Sequence, residues 1–373
     1  MQVALRAEVL DVGYAKPIYA REDINTAGKQ LAGTVRDFDE QHALAIINNW
    51  RSSHAFPLNI FYMSLRGRAR KIDSNALTAQ RLKRLPSIGT KLSRFPDMKL
   101  SQMQDLGGCR AVVRDAVAVD KLIAAYKKAD AKNPKARHEF LHKKDYIADP
   151  KPDGYRSYHM VYRYRSRAKK HIPYNGLKIE IQIRTKLQHA WATAVEIIST
   201  FTGQALKSNI GDECWKRFFK LMSSEIAMRE NRPLVPDVPA NRDELVAELR
   251  TLVQKLQVQT VLQGWGAGVN LITQRIKGKD SPKRSHSYLL VLDSNAKTIE
   301  VFPFAKEELP KAQQRYLDVE KENVNKPEIQ AVLVSVDSVA ALRRAYPNYY
   351  LDSFAFSQAV GRAIGVPNGK QHH

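Results

Sequence analysis

Thiols are the scarcest chemistry in this sequence: 373 residues contain only Cys109 and Cys214. That excludes a disulfide framework and, with no Cys-x-x-Cys pair, a structural zinc site. Long apolar runs are missing too. None approaches the roughly 20 residues of a membrane-spanning helix, so a soluble protein is expected. The first residues, MQVALRAEVLDVGY, carry two acids and lack the basic start and apolar centre of a secretory signal, which makes the cytoplasm the expected compartment. Internal repeats and low-complexity tracts are absent. Acid is short relative to base, with 38 Asp+Glu against 60 Lys+Arg and a net charge of +22. Residues up to Ala240 hold +18 of that excess and the remainder only +4. A basic region of this kind fits a polyanionic partner, a nucleoside triphosphate, RNA or both, although a solvated lysine-rich surface has the same composition.

The length predicts two domains. Residues 232–240, RPLVPDVPA, hold three prolines and mark the expected boundary. Helical periodicity from Thr34 to Leu65, interrupted at Pro57, predicts two consecutive helices, and further helices are expected over Arg81–Leu92, Val117–Ala129, Lys186–Ser199 and Asp212–Glu230. CRAVV (109–113), YHMVYRY (158–164) and LKIEIQI (177–183) have strand character. The mixture predicts an α+β core. Beyond the boundary, a helix from about Asp243 to Leu262, a Gly-rich GWGAG turn, a hairpin in HSYLLVLDSNAKTIEVFPF, a charged helix over Ala305–Glu322, a strand in QAVLVSV and a helix from Val339 suggest a small second α+β domain.

Four stretches carry polar chemistry. In RLKRLPSIGTKLSRF, Arg81, Lys83, Ser87 and Lys91 could hold triphosphate oxygens, Ser87 and Lys91 sharing a helical face. In DLGGCRAVV, Asp105 could hold Mg²⁺, the glycines allow close approach to a nucleotide, and Arg110 could stack on a base; a turn leading into a core strand would read the same way. KKDYIADPKPDGYRSYHMVYRY places a proline-, aspartate- and glycine-rich loop between two ordered segments. Its Tyr155 can stack on a base, and Lys143, Lys144, Lys151 and Arg156 can neutralise phosphates. In EIQIRT, Glu180 and Gln182 share one strand face. An acid amid apolar strand residues requires a partner, whether a metal or Arg184. His189, at the start of the following helix, reads as a packing or capping residue.

In this order the four stretches, DYIADPKPDGYRSYH and EIQIRT above all, resemble the synthetase domain of RelA/SpoT enzymes and small alarmone synthetases. The resemblance implies a mixed-sheet, nucleotidyltransferase-like domain with flanking helices that moves the β,γ-diphosphate of ATP onto a ribose 3′-hydroxyl. It implies that Arg81 and Arg110 sandwich adenine, that Lys83, Ser87 and Lys91 contact the phosphates, and that Asp105 and Glu180 hold Mg²⁺ with Glu180 also the base. Tyr155 would stack on the acceptor base, with His159 and Gln182 lining the site. Arg84 and Arg94 remain alternatives to Arg81.

NWRSSHAFPLNIFYMSLR (49–66) further resembles tRNA-modifying toxic synthetases, especially the CapRel proteins fused to their own antitoxin. Arg66, Arg68, Arg70 and Lys71, with Arg163, Arg165, Arg167, Lys169 and Lys170, form a basic surface larger than a mononucleotide needs. RRAYPNYYLDSFAF (343–356) resembles the antitoxin part of those proteins, a relative of a zinc-binding module without its cysteines that covers the ATP site through a Tyr-x-x-Tyr element; Tyr346 and Tyr349, with Tyr350, fit it. The implied organisation is an N-terminal helical segment (1–70), a synthetase domain (71–235) and a linking helix with a sensing domain (236–373). The implied acceptor is the tRNA 3′ end, with GDP or GTP the alternative. The implied trigger is a phage capsid protein, and the expected state is a monomer.

Overall fold

A computed structural model describes residues 13–132, 138–201, 213–256, 258, 287–293, 298–323, 326, 329–335 and 354–365. Three helices open the chain: α1 (Arg21–Leu31), α2 (Glu40–Ser53) and α3 (Ala55–Ile72). Asp39 caps α2 by accepting from the His42 amide. The break to α3 falls at His54, and Pro57 lies in the first turn of α3, where a missing N–H costs nothing.

The central sheet contains β1 (Leu77–Leu82), β2 (Gly107–Val113), β3 (Glu139–Asp145), β4 (Tyr158–Arg163) and β5 (Lys178–Thr185), in the order β1-β2-β5-β4-β3. Only β2 and β5 are parallel; the other neighbours are antiparallel, so the sheet is mixed. Its helices are α4 (Leu85–Arg94), between β1 and β2, and α5 (Ala116–Lys132), between β2 and β3. One sheet face is apolar: Cys109, Ala111, Val113, Met160, Tyr162, Ile179, Ile181 and Ile183 join Phe61, Leu65 and Leu122 in a single core. Burying such a face stabilises the fold by on the order of 2 kcal/mol per large apolar side chain removed from water.

One expectation shifts, and one strand was not expected. The helix expected over Arg81–Leu92 begins at Leu85, with Pro86 in its first turn, so Arg81 sits on β1 and Lys83 in the connection. Strand β3, EFLHKKD, has no alternating apolar pattern because it is a half-exposed edge strand.

α6 (Lys186–Phe201) continues directly from β5 and packs with α7 (Glu213–Glu230), α8 (Arg242–Lys255) and α10 (Phe354–Ile364). Trp191, Phe218, Phe219, Leu245, Leu249, Phe356 and Val360 form their common core. The proline-rich 232–240 segment is therefore a turn within one helical core, and a division at 235/236 separates two charge regimes rather than two cores. A smaller antiparallel sheet, β7-β6-β8, is built from β6 (Ser287–Asp293), β7 (Thr298–Phe304) and β8 (Ile329–Ser335) and covered by α9 (Leu309–Glu322). The GWGAG turn, the helix expected from Val339, and Tyr346, Tyr349 and Tyr350 lie outside the described residues. Among the described residues no helix is long and apolar enough to cross a membrane.

Candidate active site

Strand register assembles the site on the second face of the central sheet. Arg110 pairs with Gln182, Gln182 with His159, and His159 with Lys144, one row across β2, β5, β4 and β3. The next row runs from Arg81 through Gly108 to Glu180. Cross-strand partners share a face, so Arg81, Arg110, Glu180, Gln182, His159 and Lys144 stand together opposite the apolar core. A side-chain carbon at Gly108 would meet only the Glu180 carbonyl, at 3.9 Å, which leaves open space above the middle of this face. Lys143 belongs to the opposite face, its ammonium 5.9 Å from the centre of the Tyr158 ring.

The two carboxylates expected to hold metal have different surroundings. Asp105 accepts from Lys83 and Lys91, both at 2.9 Å, one lysine on each oxygen. Burial pushes the Asp105 carboxyl up, but the two ammonium groups outweigh it and hold the group at about 2. Burial also lowers the Lys83 ammonium, against the pull of Asp105. Glu180 accepts from His159 Nδ1 at 2.9 Å and from Gln182 Nε2 at 2.7 Å. Burial raises this carboxyl, and the His159 and Gln182 hydrogen bonds lower it further than burial lifts it. With Glu180 ionised, Nδ1 carries the proton, and in the neutral ring Nε2 is left to accept from the Tyr155 hydroxyl at 3.0 Å. Glu180 is thus partnered by His159 and Gln182, while Arg184 hydrogen-bonds His189.

Asp105 and Glu180 are close enough for the Asp105 charge to raise the Glu180 carboxyl. Among the described residues each of their four oxygens accepts one hydrogen bond, and a carboxylate oxygen has a second lone pair to offer. Mg²⁺ is commonly held by one or two carboxylates together with substrate phosphates, so this donor set fits it. Among the described residues no group of three or more His, Cys, Asp or Glu side chains forms a metal cluster.

The loop 149–157 approaches from the end of β4. Lys151 lies 5.1 Å from the Tyr155 ring centre and 4.8 Å from that of Tyr146, a cation between two aromatic faces. Tyr146 also meets the His159 ring edge-on at 5.2 Å. Sequence reasoning missed Tyr146; its place directly before the loop was the available signal. Gly154 adopts φ +95°, and a side-chain carbon there would sit 2.9 Å from Ser223 and 3.0 Å from Trp191, so only glycine lets the loop settle on α6 and α7.

Arg156 corrects an expectation. It is buried, donating to Ser223 Oγ at 3.0 Å, the Ile147 carbonyl at 3.3 Å and the Pro233 carbonyl at 2.7 Å. All three nitrogens face protein acceptors, so it anchors the loop rather than meeting a phosphate. Within the proposed basic surface, Arg68 donates to the Ala125 carbonyl and covers the Tyr126 ring at 4.8 Å. Arg163 and Arg165 share Glu139 at 2.9 and 2.5 Å. Arg70, Lys71, Arg165, Arg167, Lys169 and Lys170 are exposed and Arg66 is half-buried. The 163–171 segment leaves the far end of β4, roughly 17 Å from loop 149–157 at about 3.3 Å per residue.

Residues 80–200, the stretch that builds this face, match the family model for the region found in RelA/SpoT proteins. Over 121 residues the chain is 34% identical to the GTP pyrophosphokinase YjbM of Bacillus subtilis (strain 168), covering 30% of this chain and 51% of that protein. The chain thus spans about half the length of that curated relative. Among solved structures it is similar to small alarmone synthetase 1 from Bacillus subtilis bound to its product pppGpp, with 23% identity, 52% of this chain and 94% of that chain covered, and a TM-score of 0.41. A GTP pyrophosphokinase family protein from Streptococcus pneumoniae shows 24% identity, 54% and 91% coverage and a TM-score of 0.36.

Proposed function

We propose that this chain is a diphosphotransferase of the RelA/SpoT synthetase type, transferring the β,γ-diphosphate of ATP to a ribose 3′-hydroxyl as the 3′-oxygen attacks the β-phosphorus and AMP leaves. The observation that carries the reading is the register that gathers Arg81, Arg110, Glu180, Gln182 and His159 on one sheet face beside the Lys83–Asp105–Lys91 cluster. Arg81 and Arg110 flank the adenine, while Ser87, Lys83 and Lys91 bind phosphate oxygens, the lysines exchanging Asp105 for phosphate. Asp105 and Glu180 hold Mg²⁺, which when bound offsets charge on the phosphates. The Tyr155 ring supports the acceptor base. Glu180, its oxygens aligned by His159 and Gln182, takes the proton of the attacking hydroxyl, a contribution of about 10²- to 10⁴-fold.

The acceptor we favour is the 3′ end of tRNA. The exposed cations of 163–171, at the far end of β4 from the Tyr155 loop, give a charged surface beyond the reach of one mononucleotide. The C-terminal module would restrain this activity, with Tyr346 and Tyr349 covering the nucleotide and a phage capsid protein releasing them by binding the open state more tightly. Incubation with β,γ-labelled ATP tests the acceptor: label on the tRNA 3′ end supports this reading, and label on GDP or GTP instead establishes alarmone synthesis. Substitution of Tyr349, expected to make expression toxic, tests the restraint. It is a cleaner probe than truncation at Ala240, which would strip α8 and α10 from the core they share with α6 and α7.

A further inference from the structure

Helix α4, which carries Ser87 and Lys91, has no capping side chain of its own: its N-cap position is Arg84, which makes no side-chain cap hydrogen bond. The first-turn amide of Leu85 is instead satisfied from 235 residues away, donating to Glu320 of α9 at 2.9 Å. The same Glu320 oxygen lies 3.9 Å from Arg51 of α2. Arg51 is fully buried, and among the described residues none of its three guanidinium nitrogens has a hydrogen-bond partner. Its guanidinium carbon stands 4.5 Å over the ring of Tyr316, one turn before Glu320 on α9. Around this point β8 packs against β1, and the first turn of α9 meets the N-terminal segment: a side-chain carbon at Gly13 would lie 2.7 Å from Pro310. One carboxylate therefore balances a buried cation on one side and caps a helix on the other.

We infer that Glu320 is a latch that docks the small C-terminal sheet module onto the β1–α4 segment, and that release of the module uncaps the first turn of α4. The physical basis is asymmetric. Removing one member of a buried ion pair leaves an uncompensated charge, whereas replacing both with apolar side chains of similar size is tolerated. Among the described residues the Arg51 guanidinium has no hydrogen bond to compensate for lost Glu320, so this carboxylate is the polar contribution that docking relies on beside the apolar contacts of β8 and α9. The consequence for nucleotide binding rests on the reading of α4 as the ATP-phosphate helix; the latch itself does not.

Amide hydrogen exchange on the full-length protein tests the latch in peptides covering residues 84–92 and 309–335, with 107–113 as an internal reference. E320A and R51M are expected to raise exchange in 309–335 by at least about tenfold while leaving 107–113 unchanged. The R51M/E320L pair is expected to restore protection of 309–335. Its first turn of α4 should stay fast, because leucine cannot accept from the Leu85 amide. Protection of both peptides within about twofold of wild type in E320A, or a rise shared equally by 107–113, would overturn the latch. Binding of a non-hydrolysable ATP analogue to the same variants separates the two readings. Tighter binding by an undocked E320A protein supports restraint by the module; unchanged binding by an undocked protein overturns the restraint and leaves the latch standing.

Discussion

Asp105 and Glu180 face the same space with the same functional group, yet the fold treats them differently. Asp105 is clamped by two ammonium groups, and Glu180 by a histidine ring and a side-chain amide. A carboxylate at about 2 between two lysines is a permanent anion, suited to electrostatics. Glu180, whose carboxyl the His159 and Gln182 hydrogen bonds also hold low, is oriented by groups of a different kind, and the proton transfer proposed for it relies on that alignment. Two carboxylates in one site can thus divide the work because their neighbours differ.

The strongest way to break this comparison is E180Q. It should lower turnover by about 10²- to 10⁴-fold and raise the KM for ATP less than the Asp105 substitution does, since it removes one proposed metal ligand but leaves the Lys83 and Lys91 contacts in place. D105N should act on the other quantity, raising the KM for ATP by at least about tenfold, because Lys83 and Lys91 lose their shared partner and the metal loses a ligand. Steady-state kinetics of the two variants measure the split; the same pattern in both would end the division of roles. Y155F, which keeps the ring and removes the hydroxyl donated to His159, should cost about threefold to tenfold in turnover with an unchanged acceptor KM, whereas Y155A should raise that KM.

Two stability measurements sharpen the distinction between site and scaffold. R156M should lower unfolding free energy by about 2 to 4 kcal/mol in a denaturant titration, two buried acceptors and a part-buried one being left without their donor. Buried His54 is held neutral, burial lowering its imidazole to about 4 against the hydrogen bond to the Trp50 carbonyl. A histidine depressed in the folded state contributes full stability above its unfolded value near 6.5 and loses it as pH falls toward 4. The loss is on the order of 3 kcal/mol, and H54N should flatten the stability profile over that window.

Much of the core was legible before any coordinate. The runs in β2, β4 and β5 alternate or cluster apolar residues strongly enough to read as strands, and period two put Glu180 and Gln182 on one face, where they hydrogen-bond. β1 and β3 were not legible. LTAQRL merged with the helical signal that follows it, and the edge strand EFLHKKD is rich in charge because water covers one side. A second C-terminal unit was foreseen, but its extent was not: α8 and α10 bury their apolar faces on α6 and α7, a pairing that no local pattern announces.

By itself, the sequence determined what each segment could contribute: the excess of basic charge, the glycine that alone can turn at 154, the acids and tyrosines available to the site. Those are properties of residue type and local spacing. Only the tertiary structure decided that Arg156 is an anchor, that Lys143 and Lys144 part to opposite faces, that two lysines neutralise Asp105 while His159 and Gln182 align Glu180, and that Glu320 reaches Leu85 and Arg51. Each of those outcomes depends on strand register or on a contact between distant parts of the chain. The partner that fixes a polar group's role is then supplied by packing, not by sequence neighbours.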